Sequence, residues 1–215
     1  MNKLDVAIID YGMGNVLSVQ RGLEHCGATV SVTANTDEIM SASRVLLPGV
    51  GAFANGMAEL TRLGLDIVVH DVVKKGTPLL GICLGMQMLL DESEEFGSAK
   101  GLGLISGKVI PVPSLTADGL QQKIPHIGWN AMVSPEDNEG WAGTLLDNIE
   151  PNESVYFVHS FMADPEDSHH RIANCLYGGL PVAAVIGKEN IWGCQFHPEK
   201  SGGVGLNVLR NFLSS

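Results

Sequence analysis

Cys83 stands in the string Gly81-Ile82-Cys83-Leu84-Gly85, between an apolar run (77–82) and a helical pattern over Met86–Asp91. That is the setting of a nucleophile elbow, the sharp strand-to-helix turn that lifts a Ser or Cys side chain clear of a sheet. Glycines flank it because the turn leaves no room for side chains beside the nucleophile. A group at such a turn faces a helix N-terminus, an end that favours an anion. The N–H of Leu84, next in sequence, is placed to donate to an oxyanion. A buried structural cysteine in a Gly-rich turn would produce the same string, so a nucleophile reading needs a base.

The string Gly193-Cys194-Gln195-Phe196-His197-Pro198-Glu199 supplies one. Side chains at i and i+2 of an extended segment share a face. His197 can therefore act as the base while Glu199 fixes its tautomer and steadies the imidazolium. Alone, a His-x-Glu pair is more often an exposed ion pair. Beside an elbow cysteine on one framework, it completes a triad.

A third segment, Pro48-Gly49-Val50-Gly51-Ala52-Phe53, follows the apolar run Arg44–Leu47. Its glycines let main-chain N–H groups approach a ligand, which offers a second oxyanion donor at Val50 or Gly51. Gly49, Gly51 and Ala54 also satisfy a loose G-x-G-x-x-A dinucleotide fingerprint. Against that reading, no strand ending in an acidic residue lies about 20 residues on. Asp66, near that offset, sits inside a helical pattern. His25 and His70 fall on helical patterns, and His169 and His170 are adjacent in an acidic stretch. No ligand set has metal spacing, so neither metal nor cofactor is expected. The methionines read as core filler. His126 and Trp129, in Pro125–Asn130 (PHIGWN), form a specific string whose chemistry spacing alone does not define.

The elements that must position these residues alternate in the first half. Strands are expected at Leu4–Asp10, Ala28–Thr33, Arg44–Leu47 and Thr77–Ile82. Helical patterns cover 16–26, Asp37–Ala42 (capped by Thr36) and Met57–Lys75, and Gly27 ends the first. Such alternation implies right-handed βαβ crossovers and a mostly parallel central sheet with helices on both faces. The second half is richer in strands: Leu104–Val112, Ser154–His159, Arg171–Leu176, Val182–Ile186 and Ile191–Phe196. Ala163–His170 reads as an exposed loop, and Leu206–Leu213 closes the chain as a helix.

Composition agrees with one α/β domain over 1–215. Of 215 residues 45% are hydrophobic and 17% charged, which excludes a disordered chain; folding at this length hides roughly 70% of the unfolded surface. Lys and Arg number 13 against 24 Asp and Glu, a net charge of −11. That balance argues against nucleic acid or an anionic membrane as partner. No uncharged stretch reaches the ~18 apolar residues of a membrane span. Asp5 and Asp10 bracket an apolar run too short for a signal peptide. The cysteines at 26, 83, 175 and 194 form no C-x-x-C pair, so reduced thiols in a cytoplasmic protein are expected.

Together, GICLGMQ (81–87) and QFHPEKSG (195–202) closely resemble the class I glutamine amidotransferases, whose fold is flavodoxin-like. The strings DYGMGN (10–15), PGVGAF (48–53), PHIGWN (125–130) and YFVHSF (156–161) are similar to one branch, the glutaminases of imidazole glycerol phosphate synthases in histidine biosynthesis. The resemblance runs in order through nearly the whole chain. It implies that Cys83 attacks the side-chain amide carbon of glutamine, and that Leu84 and the Val50–Gly51 segment hold the oxyanion. His197, oriented by Glu199, protonates the departing ammonia and then activates water against the thioester. Gln87 and the main chain around His159, Ser160 and Phe161 would hold the amino-acid end. The implied partner is a (β/α)8-barrel cyclase in a heterodimer, which takes the ammonia and carries the phosphate-binding site. Gly12, Asn15 and Lys200 would lie near that interface. Glutaminase activity is expected to be low until the partner and its ligand complete the oxyanion site, since loop 49–51 is a flexible diglycine turn. Three rival readings remain: the glutaminase of another amidotransferase, a Cys-dependent hydrolase on the same elbow, and a nucleotide-binding module using loop 48–54.

Overall fold

Runs such as Val6-Ala7-Ile8-Ile9 and Leu79-Leu80-Gly81-Ile82 lack any polar alternation, as strands covered on both faces must, and every one of these residues is buried. The computed structural model describes residues 4–135 and 140–215. In chain order its first half runs β1 (Val6–Ile9), α1 (Val16–His25), β2 (Val30–Thr33), α2 (Thr36–Ser41), β3 (Arg44–Leu47), α3 (Phe53–Arg62), α4 (Leu65–Lys74), β4 (Leu79–Ile82) and α5 (Leu84–Met88). There follow β5 (Glu92–Ser93), β6 (Ala99–Lys100), β7 (Gly107–Pro111), β8 (His126–Val133), β9 (Ser154–His159), β10 (Phe161–Pro165), β11 (Arg171–Tyr177), β12 (Leu180–Lys188), β13 (Ile191–Cys194) and α6 (Gly202–Ser214).

The central sheet has the order β2-β1-β3-β4-β13-β12-β11-β8-β9. From β2 to β13 every pairing is parallel; the added strands of the second half extend it antiparallel from β13 to β9. A smaller sheet, β10-β7-β5-β6, stands beside it. The period of two along each strand decides which layer a residue joins. Val6 and Ile8 pack with Val19 and Leu23 of α1 and Val208, Leu209 and Phe212 of α6. Ala7 and Ile9 face the other way, toward Ile39 of α2, Leu60 of α3 and Val69 of α4. Arg44 reaches from β3 to the end of α6, donating from Nε to Phe212 O (2.7 Å) and from Nη2 to Ser215 O (2.6 Å), a cation at the end of the helix that favours one.

Several expectations are corrected. The long helix over Met57–Lys75 is two helices, because Gly64 adopts φ 69° and begins a new one; the apolar period simply resumes after the break. Asn35, not Thr36, caps α2, its side chain accepting from Glu38 N at 3.0 Å. The helix after Cys83 covers Leu84–Met88 rather than Met86–Asp91. Within Leu104–Val112 only Gly107–Pro111 is strand, and it belongs to the smaller sheet. The expected loop Ala163–His170 begins inside β10, whose Ala163 is buried opposite Val109 of β7. PHIGWN lies largely in β8, paired with β9. Among the described residues no helix is long and apolar enough to cross a membrane.

What matters for the site is the seam between β4 and β13. They are parallel neighbours, with Ile82 opposite Cys194. The residues following each, Cys83 and Gln195–Glu199, leave the sheet at adjoining carboxyl ends, the usual place for a site in an open α/β sheet.

Candidate active site

Cys83 has φ 53° and ψ −110°. A side chain held in that sparsely populated region costs of order 1–3 kcal/mol and persists only where its surroundings impose it. Here they do. A Cβ on Gly85 would lie 1.9 Å from the carbonyl oxygen of Leu47, and one on Gly81 would lie 2.7 Å from backbone atoms of Gly85. The turn is therefore closed against any residue with a side chain on either flank. Cys83 N donates to Cys194 O at 2.8 Å, which ties the elbow to the end of β13.

His197 is set from three sides. Its N–H donates to Tyr156 O (3.1 Å) on β9. Ser201 Oγ donates to His197 O (2.7 Å) and accepts from Tyr156 N (3.0 Å). Its ring Nδ1 lies 2.9 Å from Glu199 Oε1, and the two side chains are only 5% and 1% exposed. Glu199 sits in a 3-10 turn, Pro198–Lys200, that α6 presses closely; a Cβ on Gly205 would fall 1.9 Å from Pro198 O. The second carboxylate oxygen, Oε2, is buried with no partner among the described residues, so His197 is the group that answers the charge. Burial alone would lower the His197 pKa. Hydrogen bonding to Cys83 and Glu199, reinforced by their charges, overrides it and raises the value to about 9. With Nδ1 engaged by the carboxylate, Nε2 remains for the sulfur. The arrangement can hold an imidazolium next to Cys83 at neutral pH and deliver its proton to a leaving group.

These residues open onto a cavity of about 390 Å³, lined by Cys83, Leu84, Val50, Gly51, Gln87, His159, Ser160, Phe161, His197 and Lys200, with Glu95, Pro125 and Val158. Leu84 is the first residue of α5, and its N–H lies at the open end of that helix. Loop 48–51 is braced over the elbow: Tyr11 Oη donates to Pro48 O at 2.7 Å, and a Cβ on Gly49 would lie 2.6 Å from that hydroxyl. Burial raises the Tyr11 pKa well above its ordinary value, so it stays a donor. Gly12 and Asn15 are exposed and lie outside the cavity lining. Their loop nonetheless touches loop 48–51, since a Cβ on Gly51 would meet Met13 at 3.0 Å and one on Gly14 would meet Pro48 at 3.4 Å.

The floor is a buried polar network. Gln87 Nε2 donates to Phe161 O and to Gln195 Oε1, each at 3.0 Å, and Gln195 Nε2 lies 3.7 Å from Cys83 Sγ. His159 Nδ1 is 2.8 Å from Phe161 O, and its Nε2 is 3.1 Å from His126 Nδ1. Burial lowers both histidines to about 4, so both are neutral. Sequence reasoning missed Gln195, Glu95 and the place of His126 here. Gln195 had a signal, because it precedes His197 by two in the extended segment and shares its face. Glu95 had none.

A larger cavity, about 750 Å³, lies against Asn174, Leu176 and Pro181 of β11 and β12 and holds none of the triad residues. Cys83, His197 and Glu199, a candidate nucleophile with its base and carboxylate, favour the smaller one as the seat of chemistry. The other cysteines are poor nucleophiles: burial pushes Cys175 up to about 12 and Cys194 well above its ordinary value. Among the described residues no group of His, Cys, Asp and Glu is arranged to hold a metal ion.

Comparison with known proteins bears on this geometry. The family described as Glutamine amidotransferase class-I matches residues 7–215. Imidazole glycerol phosphate synthase subunit HisH 1 of Legionella pneumophila (strain Lens) is 54% identical over 208 residues, 97% of this chain and 98% of that protein. Subunit HisH of Geobacillus sp. (strain WCH70) is 46% identical over 209 residues, 97% and 96% of the two chains. Among solved structures, PurLQS from Thermotoga maritima superposes with a TM-score of 0.72 at 20% identity, covering 99% of this chain and 98% of that one. A crystal structure of a glutamine amidotransferase gives 0.71 at 17% identity, with 97% of each chain covered. These two likenesses speak to the fold alone.

Proposed function

This chain belongs to the class-I glutamine amidotransferase family, and from that membership we propose that it is the glutaminase subunit of an imidazole glycerol phosphate synthase, serving L-histidine biosynthesis as one domain over 1–215. The observation that carries the reading is the elbow cysteine and His197 opening onto an amino-acid-sized cavity, with Glu199 buried behind the histidine and bonded to it. The dinucleotide reading of loop 48–54 loses its ground, because that loop is braced onto the elbow.

Cys83 sulfur adds to the side-chain amide carbon of glutamine, and the carbonyl oxygen takes the charge. Leu84 N–H and an N–H of the Val50–Gly51 segment stabilise that oxyanion. As the C–N bond breaks, His197 gives its proton to the nitrogen and ammonia leaves. His197, neutral now, takes a proton from water, which adds to the thioester carbonyl. Collapse expels the Cys83 thiolate and yields glutamate. At the other end of glutamine, Gln87 and the main chain of His159, Ser160 and Phe161 offer polar contacts. Glu95 presents a carboxylate to the cavity, fit for the α-ammonium group, while its Oε2 also accepts from Phe53 N (2.6 Å).

Ammonia in water at neutral pH is mostly ammonium, so the product must pass directly to a synthase. The partner that fits is a (β/α)8-barrel cyclase forming a heterodimer with this chain. Val50 of the cavity lining is 42% exposed, and Ile127 (51%) and Trp129 (59%) stand on β8, which follows the lining residue Pro125; all three present apolar surface of the kind interfaces cover. Gly12, Asn15 and Lys200 lie on loops that would meet it. The free cysteines suit a reducing cytoplasm. The test is glutamate release by the chain alone, with the barrel cyclase, and with cyclase plus its ribonucleotide ligand. A Cys83-dependent rate that climbs steeply in the third state supports the reading. Cys83-dependent activity indifferent to the cyclase would assign the chain to another amidotransferase.

A further inference from the structure

Gln195 is completely buried, next to the nucleophile, and has no role in the mechanism above. We propose that Gln195 is a further catalytic residue, whose carboxamide N–H donates to the Cys83 sulfur in a direction imposed by the Phe161 carbonyl through Gln87. The inference rests on the reading of Cys83 as the glutaminase nucleophile.

The direction follows from what each atom can do. A backbone carbonyl only accepts, so the Gln87 atom 3.0 Å from Phe161 O must be its amide nitrogen. That same nitrogen is 3.0 Å from the Gln195 carboxamide, which must answer with its oxygen. Gln195 is thus left with its NH2 toward Cys83 Sγ, at 3.7 Å, within reach of a hydrogen bond to sulfur. The Phe161 carbonyl is fixed in turn. His159 Nδ1 donates to it at 2.8 Å, and His159 Nε2 then accepts from His126 Nδ1 at 3.1 Å. His126 is stacked between Phe157 (centroids 4.9 Å) and Tyr177 (4.0 Å), so the far end of the chain cannot swing. Both histidines are kept neutral by burial, which leaves each the single donor this pattern needs.

A donor aimed at sulfur helps only where sulfur carries charge. It favours the thiolate before attack and again as the tetrahedral adduct of the thioester expels it, and does little for the neutral thioester between them. Among the described residues the titratable groups coupled to the sulfur are His197 from the segment after β13, Tyr11 from the segment after β1 and Cys194 from β13 itself, while Glu95 and Lys200 line the same cavity. Burial holds Tyr11 and Cys194 neutral, so Gln195 and His197 are what meets the negative sulfur.

The test is Gln195→Met, which keeps length and apolar bulk but removes the donor. Alkylation of Cys83 by iodoacetamide is followed by mass spectrometry of its peptide across pH, without glutamine, and glutamine turnover is measured in the complex with the cyclase. The expected result is an acid limb of alkylation moved up by about one pH unit and a kcat lowered about tenfold, with KM changed less. Should the variant fold poorly, the wild-type chain serves: the Gln195 side-chain amide resonances should shift on alkylation of Cys83. An alkylation profile superposing on wild type, or amide resonances unmoved by alkylation, would overturn the role of Gln195. Glutamine turnover surviving in Cys83→Ala is a separate result, and would overturn the glutaminase reading on which this one rests.

Discussion

His197 keeps its proton up to about pH 9, and the cause is its neighbours, with burial acting the other way. The value lies above the 6.5 of a free imidazole. Its stabilising contribution is therefore complete below about pH 6.5 and is lost as pH rises through about 9. Activity should follow: the alkaline limb of glutaminase kcat falls near pH 9. In Glu199→Gln the carboxylate is gone, so that limb moves to lower pH and the rate at neutral pH drops by about 10²-fold, less than in His197→Ala. A pH–rate profile of the variant checks the direction; a limb that stays in place would show that Glu199 does not set the imidazolium. Cys83→Ala should abolish glutamine-dependent synthesis in the complex while ammonia-dependent synthesis continues, a difference read by supplying each nitrogen source in turn. These three residues are legible in the chain itself because an elbow's sterics and an extended segment's period of two are local. Gln195 obeys the same period, yet nothing local says which glutamine faces the sulfur.

At the level of elements, the elbow and its covering loop depend on close backbone approaches. Gly85→Ala places a methyl 1.9 Å from Leu47 O, a clash with backbone that no rotamer relieves. It should lower Tm by about 10 °C or prevent folding, on the order of 3–4 kcal/mol at 2–4 °C per kcal/mol for a chain this size. Tyr11→Phe removes one buried hydrogen bond and leaves Pro48 O without its donor, at a cost of about 1–2 kcal/mol. Thermal melts will show a modest drop in Tm, and glutamine turnover should fall further than stability does because the oxyanion loop loses its brace. The strands flanking these loops were readable from apolar runs. The break at Gly64 was not, since the apolar pattern resumes in phase after it. Nor was β10, whose polar Asp164 and short length resemble a loop until Phe161–Pro165 pairs with β7.

For the molecule as a whole, net charge, partner and cavity point one way. A chain of net charge −11 fits the proposed division of labour, in which phosphate binding falls to the cyclase. Trp129→Ser together with Ile127→Ser strips the rim without touching the core, since both side chains are more than half exposed. Tm should stay within about 1–2 °C, surface changes being worth ±0.5 kcal/mol. Cyclase affinity, by titration calorimetry, should weaken at least tenfold, the scale of an aromatic anchor; unchanged affinity would place the interface elsewhere. The sequence by itself determined the parallel α/β half and the elbow, and it singled out Cys83, His197 and Glu199 as the candidate triad. Those rest on steric rules and periodicities a few residues long. Only the tertiary structure decided that β13 lies beside β4, bringing together Cys83 and Gln195, which stand 112 positions apart. It also decided that His126 anchors the floor of the site and that a second sheet forms from fragments. Strand pairing and the direction of a buried hydrogen bond depend on partners far away in the chain, and no local pattern encodes them.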